Sequence, residues 1–204
     1  MKGKIQLILL APFLFACNNN TEPGAEKASN DSAKNVVTLT HSDSVDQGLI
    51  VVDTIKGSPF QTATATIGTL KIDIGYSSPG VKGRIIWGGL VPYDKVWVTG
   101  AHQATTIEFS KDVEIGGKKI KAGKYALFTI PGRDKWIAII NLYYDQHLAD
   151  QYNEKADVVR VELKPGEHAM TQRLTYTIEK VNDQSGTINV QWEKIILQVP
   201  FTIL

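Results

Sequence analysis

One cysteine, Cys17, occurs in 204 residues. No disulfide can therefore form within the chain, and any folded part must be held by core burial alone. No apolar run approaches the roughly 20 residues needed to cross a bilayer as a helix. Charge is nearly balanced, with 22 basic and 21 acidic side chains, and no dense basic tract is present, which argues against a nucleic-acid partner. The four histidines, His41, His102, His147 and His168, stand far apart with no paired spacing and no cysteine beside them, so neither a metal site nor a cofactor is expected. No G-x-S-x-G elbow occurs, and Ser77 and Ser78 precede a proline as turn residues do. Gly116-Gly117-Lys118-Lys119 lacks the glycine spacing and following Ser/Thr of a phosphate loop. What remains is a chain with 43% hydrophobic residues, enough for one globular domain with a sizeable core.

The start of the chain has the three-part layout of a secretory signal: Lys2 and Lys4, an apolar stretch over 5–15, then Ala16 and Cys17. Leu14-Phe15-Ala16-Cys17 resembles the lipobox of bacterial lipoproteins, in which the cysteine receives diacylglycerol and becomes the mature N-terminus. The resemblance implies a signal peptide over 1–16, palmitate-type lipid on Cys17, and a membrane as partner. More than one acyl chain is needed for stable anchoring, since each buried methylene contributes ~0.8 kcal/mol. Asn18 stands where an aspartate would resemble an inner-membrane retention signal, which favours the outer membrane.

Residues 17–34 read as a flexible tether, for NNNTEPGAEKASNDSAK contains no large apolar side chain. At ~5 to 6 Å times the square root of length, its span is on the order of 20 to 25 Å. Residues 35–57 form a short β-rich lead-in, two β-branched runs around a polar insert. From 58 onward period two dominates, the mark of strands with one buried face. Leu70, Ile72, Ile74 and Tyr76 alternate with smaller or polar residues; so do Thr105, Ile107 and Phe109, then Leu174, Tyr176 and Ile178, and Ile188, Val190 and Trp192. Gly116-Gly117 suits a two-residue hairpin, and Ala122-Gly123 and Ser185-Gly186 mark further turns. WIAIIN at 136–141 reads as a central strand covered on both faces. Only 144–154 looks briefly helical. The expected fold is all-β, an antiparallel sandwich or flattened barrel of about ten strands over 58–204.

The stretch YSSPGVKGRIIWGGLVPYDKVWVTGAHQATTIEFSKDVEIGGKKIKAGKYALFTIP closely resembles an uncharacterised bacterial family, domain of unknown function 2911. The resemblance extends through 136–141, Asp157-Val158-Val159-Arg160 and Lys164-Pro165 to Gln191-Trp192-Glu193. It implies a secreted or lipid-anchored all-β protein and carries over no catalytic residue. The family pattern has arginine where this chain has Ser78 and Val98, and commonly asparagine at His102. If those groups form one polar site in relatives, this chain has lost its charge.

Tyr76, Lys82, Arg84, Trp87, Tyr93, Trp97 and His102 place aromatics among polar groups in a glycine-rich stretch, a composition able to line a cleft for a small ligand, glycan or envelope protein. The alternative is that Trp87 and Trp97 fill the core while Lys82 and Arg84 face water. Lys118, Lys119, Lys121 and Lys124 read as a lysine-guarded edge strand. Arg160 reads as an ion-pair partner of Asp157 or Glu162, worth ~0 to 1 kcal/mol if exposed. A noncatalytic, lipid-anchored envelope domain is the leading reading. A hydrolase acting near His102 is the alternative, and it requires His102 or His147 within hydrogen-bond reach of Asp, Glu or Ser.

Overall fold

The computed structural model describes residues 53–204. The signal segment, Cys17, the tether, His41 and most of the lead-in lie outside the described residues. The described end of the lead-in, 53–57, has no regular structure.

Ten strands follow: β1 (Phe60–Ile67), β2 (Leu70–Ser77), β3 (Thr105–Phe109), β4 (Val113–Ile115), β5 (Lys118–Ile120), β6 (Gly123–Ile130), β7 (Trp136–Asn141), β8 (Asp157–Leu163), β9 (Gly166–Asn182) and β10 (Ser185–Ile203). They form a six-stranded sheet in the order β1-β2-β3-β6-β7-β8 and a four-stranded sheet in the order β5-β4-β10-β9. Neighbours within each sheet pair antiparallel. Neither sheet closes on itself, so the fold is a sandwich and not the flattened barrel.

The period-two residues meet between the sheets. Ile72, Ile74, Ile107 and Phe109 from one sheet share a core with Leu174, Ile188 and Val190 from the other, and all are at most 4% exposed. Burying each such side chain contributes roughly 1.5–3 kcal/mol. The outer face of the six-stranded sheet carries a second, smaller cluster of Val98, Ala104, Ala126, Phe128 and Ile139. This explains why β7 is buried along almost its whole length, as its apolar sequence implies.

Gly116 and Gly117, at φ +57 and +73, form the expected two-residue turn between β4 and β5. The β9–β10 turn departs from expectation, because Ser185 pairs with Asn182 and the turn falls on Asp183-Gln184. Gly186 is already in the strand, where a Cβ would lie 2.7 Å from Glu179 O and 2.6 Å from the Phe201 ring.

β10 doubles back on itself. Nineteen extended residues would span roughly 60 Å at ~3.3 Å each, yet Ile203 N–H donates to Gln184 O at 2.8 Å and Gln198 Nε2 to Asn189 Oδ1 at 3.3 Å. Glu193, at φ +56, sits where the direction reverses. The first arm and the start of the second, at Ile195 and Ile196, pair with β9, and the end of the second pairs with β4, at Thr202 and Ile203. The lysine-bearing β5 is the edge of this sheet, as expected. Lys119 and Lys121 both pair with Asp112, at 3.1 and 3.0 Å.

Arg173 is fully buried on the face of β9 opposite Leu174. Its Nε donates to Asp53 Oδ1 at 3.0 Å, Nη1 to Ser78 O at 2.5 Å, and Nη2 to Ile55 O at 2.8 Å. Gly57 O accepts from both terminal nitrogens, at 3.3 and 3.4 Å. One guanidinium thus fastens 53–57 to the sandwich, using the fork of donors that only arginine presents.

Candidate functional site

The residues singled out in 76–102 are not brought to one place. Tyr76, on β2, is buried with its ring 4.6 Å from that of Tyr176. Trp87 and Trp97 do meet, at 5.8 Å, and they meet the other two tryptophans of the chain as well. Trp87 lies edge-on to Trp136 at 4.7 Å and to Trp192 at 5.7 Å, and Trp97 stacks on Trp192 at 5.7 Å. Both rings are half-buried against the main core. Tyr93 lies under the Arg133 guanidinium, 4.8 Å from the ring centroid. Arg84 is exposed and turns back on its own segment, donating to the carbonyls of Val81 and Gly80. Lys82 is exposed and donates to Ile55 O. His102 is exposed at φ +63 and stands with a different loop.

That loop connects β7 to β8. The brief helix expected at 144–154 is not formed; a single 3-10 turn occupies Glu154–Ala156. The reason is that backbone groups of the loop bond to a segment distant in the sequence. Gln146 O accepts from Ala104 N–H at 3.0 Å, and Leu148 N–H donates to His102 O at 2.7 Å. Gln103 and His147 are bridged between them.

Asn141, buried at the end of β7, pins the base of the loop. Its Nδ2 donates to Asn153 O at 3.0 Å and Asp157 Oδ1 at 2.7 Å, while its Oδ1 accepts from Tyr143 N–H at 2.8 Å. Tyr152 packs on Phe128 with ring centroids 5.3 Å apart and donates its hydroxyl to Asp157 Oδ2 at 2.6 Å. Burial first, and then Asp157, hold its phenol well above the ordinary tyrosine range.

On this rigid base lies an open cavity of about 270 Å³, lined by Leu142, Tyr143, Tyr144, Asp145, Gln146 and Gln151. Leu142, Tyr143 and Tyr144 are 55%, 56% and 41% exposed. Lys124 Nζ stands 5.2 Å over the Tyr144 ring. Gln146 is buried; its Nε2 donates to Tyr143 O, and its Oε1 has no hydrogen-bond partner. A buried acceptor left unpaired costs about 1–3 kcal/mol and calls for a donor.

The opposing loop holds its shape through buried polar contacts. Thr99 takes φ +53, unusual for a β-branched residue. Its carbonyl accepts from Thr105 Oγ1 at 3.0 Å and Tyr176 OH at 2.7 Å, and its hydroxyl lies 3.0 Å from that of Thr129.

A second cavity, about 280 Å³, lies beside Lys118, Glu154, Asp157 and Arg160. Arg160 there pairs with Glu154, and its Nε is 3.7 Å from Asp157 Oδ2. Of the partners expected for Arg160, Asp157 is engaged, whereas Glu162 pairs with Lys135 at 2.5 Å. Among the described residues no three His, Cys, Asp or Glu converge in a way that could hold a metal ion.

The model of the family described as Protein of unknown function (DUF2911) matches residues 58–201. The chain belongs to that family. No curated protein and no solved structure matches it. Membership therefore fixes kinship without an activity. Two positions expected to depart from the family pattern, Ser78 and Val98, are buried. Ser78 Oγ donates to Leu174 O at 2.8 Å, and its carbonyl accepts from Arg173 Nη1. The charge of Arg173 is matched by Asp53.

Asn141, Gln146 and Arg173 were not singled out from sequence. The Tyr143-Tyr144 pair, at the start of the segment expected to be briefly helical, lines the cavity. Arg173, alternating with Leu174, has the look of an ordinary solvated strand position.

Proposed function

We propose that this family member is an exported lipoprotein, anchored in the outer membrane through lipid on Cys17, whose sandwich binds a ligand without transforming it. The binding site is the cavity at 142–151. The observation that carries this reading is the exposure of Tyr143 and Tyr144 around a buried Gln146 carbonyl that lacks a donor. Pockets that bind small molecules combine such aromatic walls with a few fixed polar groups. The loop is held at its base by Asn141 and across to 102–104, so the site is preformed and ordering it costs little on binding.

Noncatalytic binding is favoured over hydrolysis by how the titratable groups are used. Asp157 is taken up by Asn141, Tyr152 and Arg160. Neither His102 nor His147 has a hydrogen bond to a carboxylate or serine among the described residues, the pairing that general acid–base work needs.

Two measurements test the reading. Fractionation of Cys17→Ala is expected to move the protein from the membrane to the soluble fraction; unchanged association counts against the anchor. A small-molecule extract of the cell envelope is expected to raise the unfolding temperature of the wild-type chain and not of Tyr144→Ala. No rise with either protein, or an equal rise with both, rejects the site.

A further inference from the structure

We infer that the ligand of the 142–151 cavity is a neutral saccharide. This rests on the binding site proposed above and adds the chemical class of its occupant.

Three features of the cavity converge on that class. The first is the shape of its apolar surface. Tyr143 and Tyr144 present flat rings at 56% and 41% exposure, and Leu142 adds an aliphatic edge. A pyranose ring has an apolar C–H face that lies against such rings, which are themselves apolar on the face and polar at the hydroxyl.

The second is the hydrogen-bonding character of the wall. Gln146 Oε1 is a buried acceptor without a partner. Asp145 adds carboxylate acceptors, and Gln151 an amide with both donor and acceptor. A wall rich in acceptors selects a ligand rich in O–H donors. Vicinal hydroxyls meet that need at several positions at once.

The third is charge and size. Asp145 is the one charged residue lining the cavity, and Lys124 stands at its margin over Tyr144. An anionic ligand would meet Asp145 and a cationic one Lys124, so the balance favours a ligand without charge. The volume, about 270 Å³, falls just under the roughly 300–1,000 Å³ that encloses a drug-sized molecule. It accepts a single ring, with the rest of a glycan passing out through the open mouth.

A proline-rich peptide is the competing occupant, since extended prolyl segments also dock on exposed aromatics. Prolines have no N–H to offer the Gln146 carbonyl, and one compact bowl does not supply the successive slots of such a groove. The hydroxyl-bearing ring is the better match.

The test uses the full chain in a detergent without a sugar headgroup, with the backbone amides of 142–151 followed by NMR. The probes are neutral trisaccharides of glucose, galactose, mannose and N-acetylglucosamine, together with a decaproline peptide. At least one trisaccharide is expected to shift these amides saturably. Tyr144→Ala is expected to weaken that binding about tenfold or more, an amount in keeping with loss of a stacked ring. Tyr144→Phe should retain it. Gln146→Met, which removes the acceptor but keeps the side-chain length, should weaken binding as well. If decaproline shifts the amides and no trisaccharide does, the site stands and the saccharide class is wrong. If no probe shifts them, both the saccharide and the site proposed above are rejected. Equal binding by wild type, Tyr144→Ala and Gln146→Met would place the sugar elsewhere and overturn the inference.

Discussion

The two faces of the six-stranded sheet are built on different principles. The inner face meets the other sheet through repeated aliphatic side chains and closes with four tryptophans gathered around Trp87, which touches the other three. The outer face is covered by irregular chain at 96–104 and 142–153, held over a small apolar cluster by single polar side chains such as Asn141 and Thr99. Inside, stability is spread over many interchangeable contacts. Outside, it rests on a few hydrogen bonds that have no substitutes, and it is this side that leaves aromatic rings bare. A preformed site on a rigid scaffold is the arrangement loops of this kind commonly provide.

Three measurements would break or sharpen that contrast. The largest effect is expected on the inner side. Trp192, at 1% exposure, touches Trp87 and Trp97, and Trp192→Ala should cost about 3–5 kcal/mol of global stability in denaturant unfolding. A smaller loss would mean that the tryptophan cluster is loosely packed.

Asn141→Ala should cost less and act locally. It leaves Asn153 O and Tyr143 N–H without their partner, at about 1–3 kcal/mol. Hydrogen exchange should accelerate through 142–153 while the inner strands stay protected. Uniform acceleration across both sheets would show that the two faces unfold as one unit and would erase the distinction.

The smallest effect is the outer side's share of an alkaline pH dependence, to which the buried Tyr176 of the inner side contributes as well. The Tyr152 phenol is raised above its unfolded value by burial and by Asp157. The folded state therefore keeps its proton where the unfolded chain has lost it. Its stabilising contribution is fully present below about pH 10, the unfolded value, and is lost as pH rises from there toward the folded value. Tyr152→Phe should lessen the alkaline decline without abolishing it, as followed by thermal unfolding.

The inner side was largely legible in the sequence. Strands such as Leu70–Ser77 bury every second residue, a pattern that sequence states directly. The Gly116-Gly117 turn was legible for the same kind of reason, since two successive residues needed positive φ. Gly186 misled because its glycine answers a close approach of Phe201 and Glu179 O, not a turn. The reversal of β10 gave no signal at all, for Glu193 and Lys194 are not turn formers and the left-handed conformation there is imposed by the two arms. The 144–154 segment was misread as briefly helical because the bonds that defeat a helix come from His102 and Ala104, more than forty positions away. Among the candidate residues, Trp87 and Trp97 were found to belong together, and His102 was found next to the cavity. What placed them was tertiary contact, which one sequence does not record.

The Arg173 knot bears on how the domain would respond to being pulled. Tension arriving along the chain from the N-terminal side reaches Asp53 before it reaches β1. There one guanidinium gathers Asp53, Ile55 and Gly57 and joins them to Ser78 and β9. Load is thereby shared among several bonds and delivered to the middle of a long strand instead of peeling β1 from the edge of its sheet. A domain loaded from its N-terminal end is, in this respect, fitted with a strain relief.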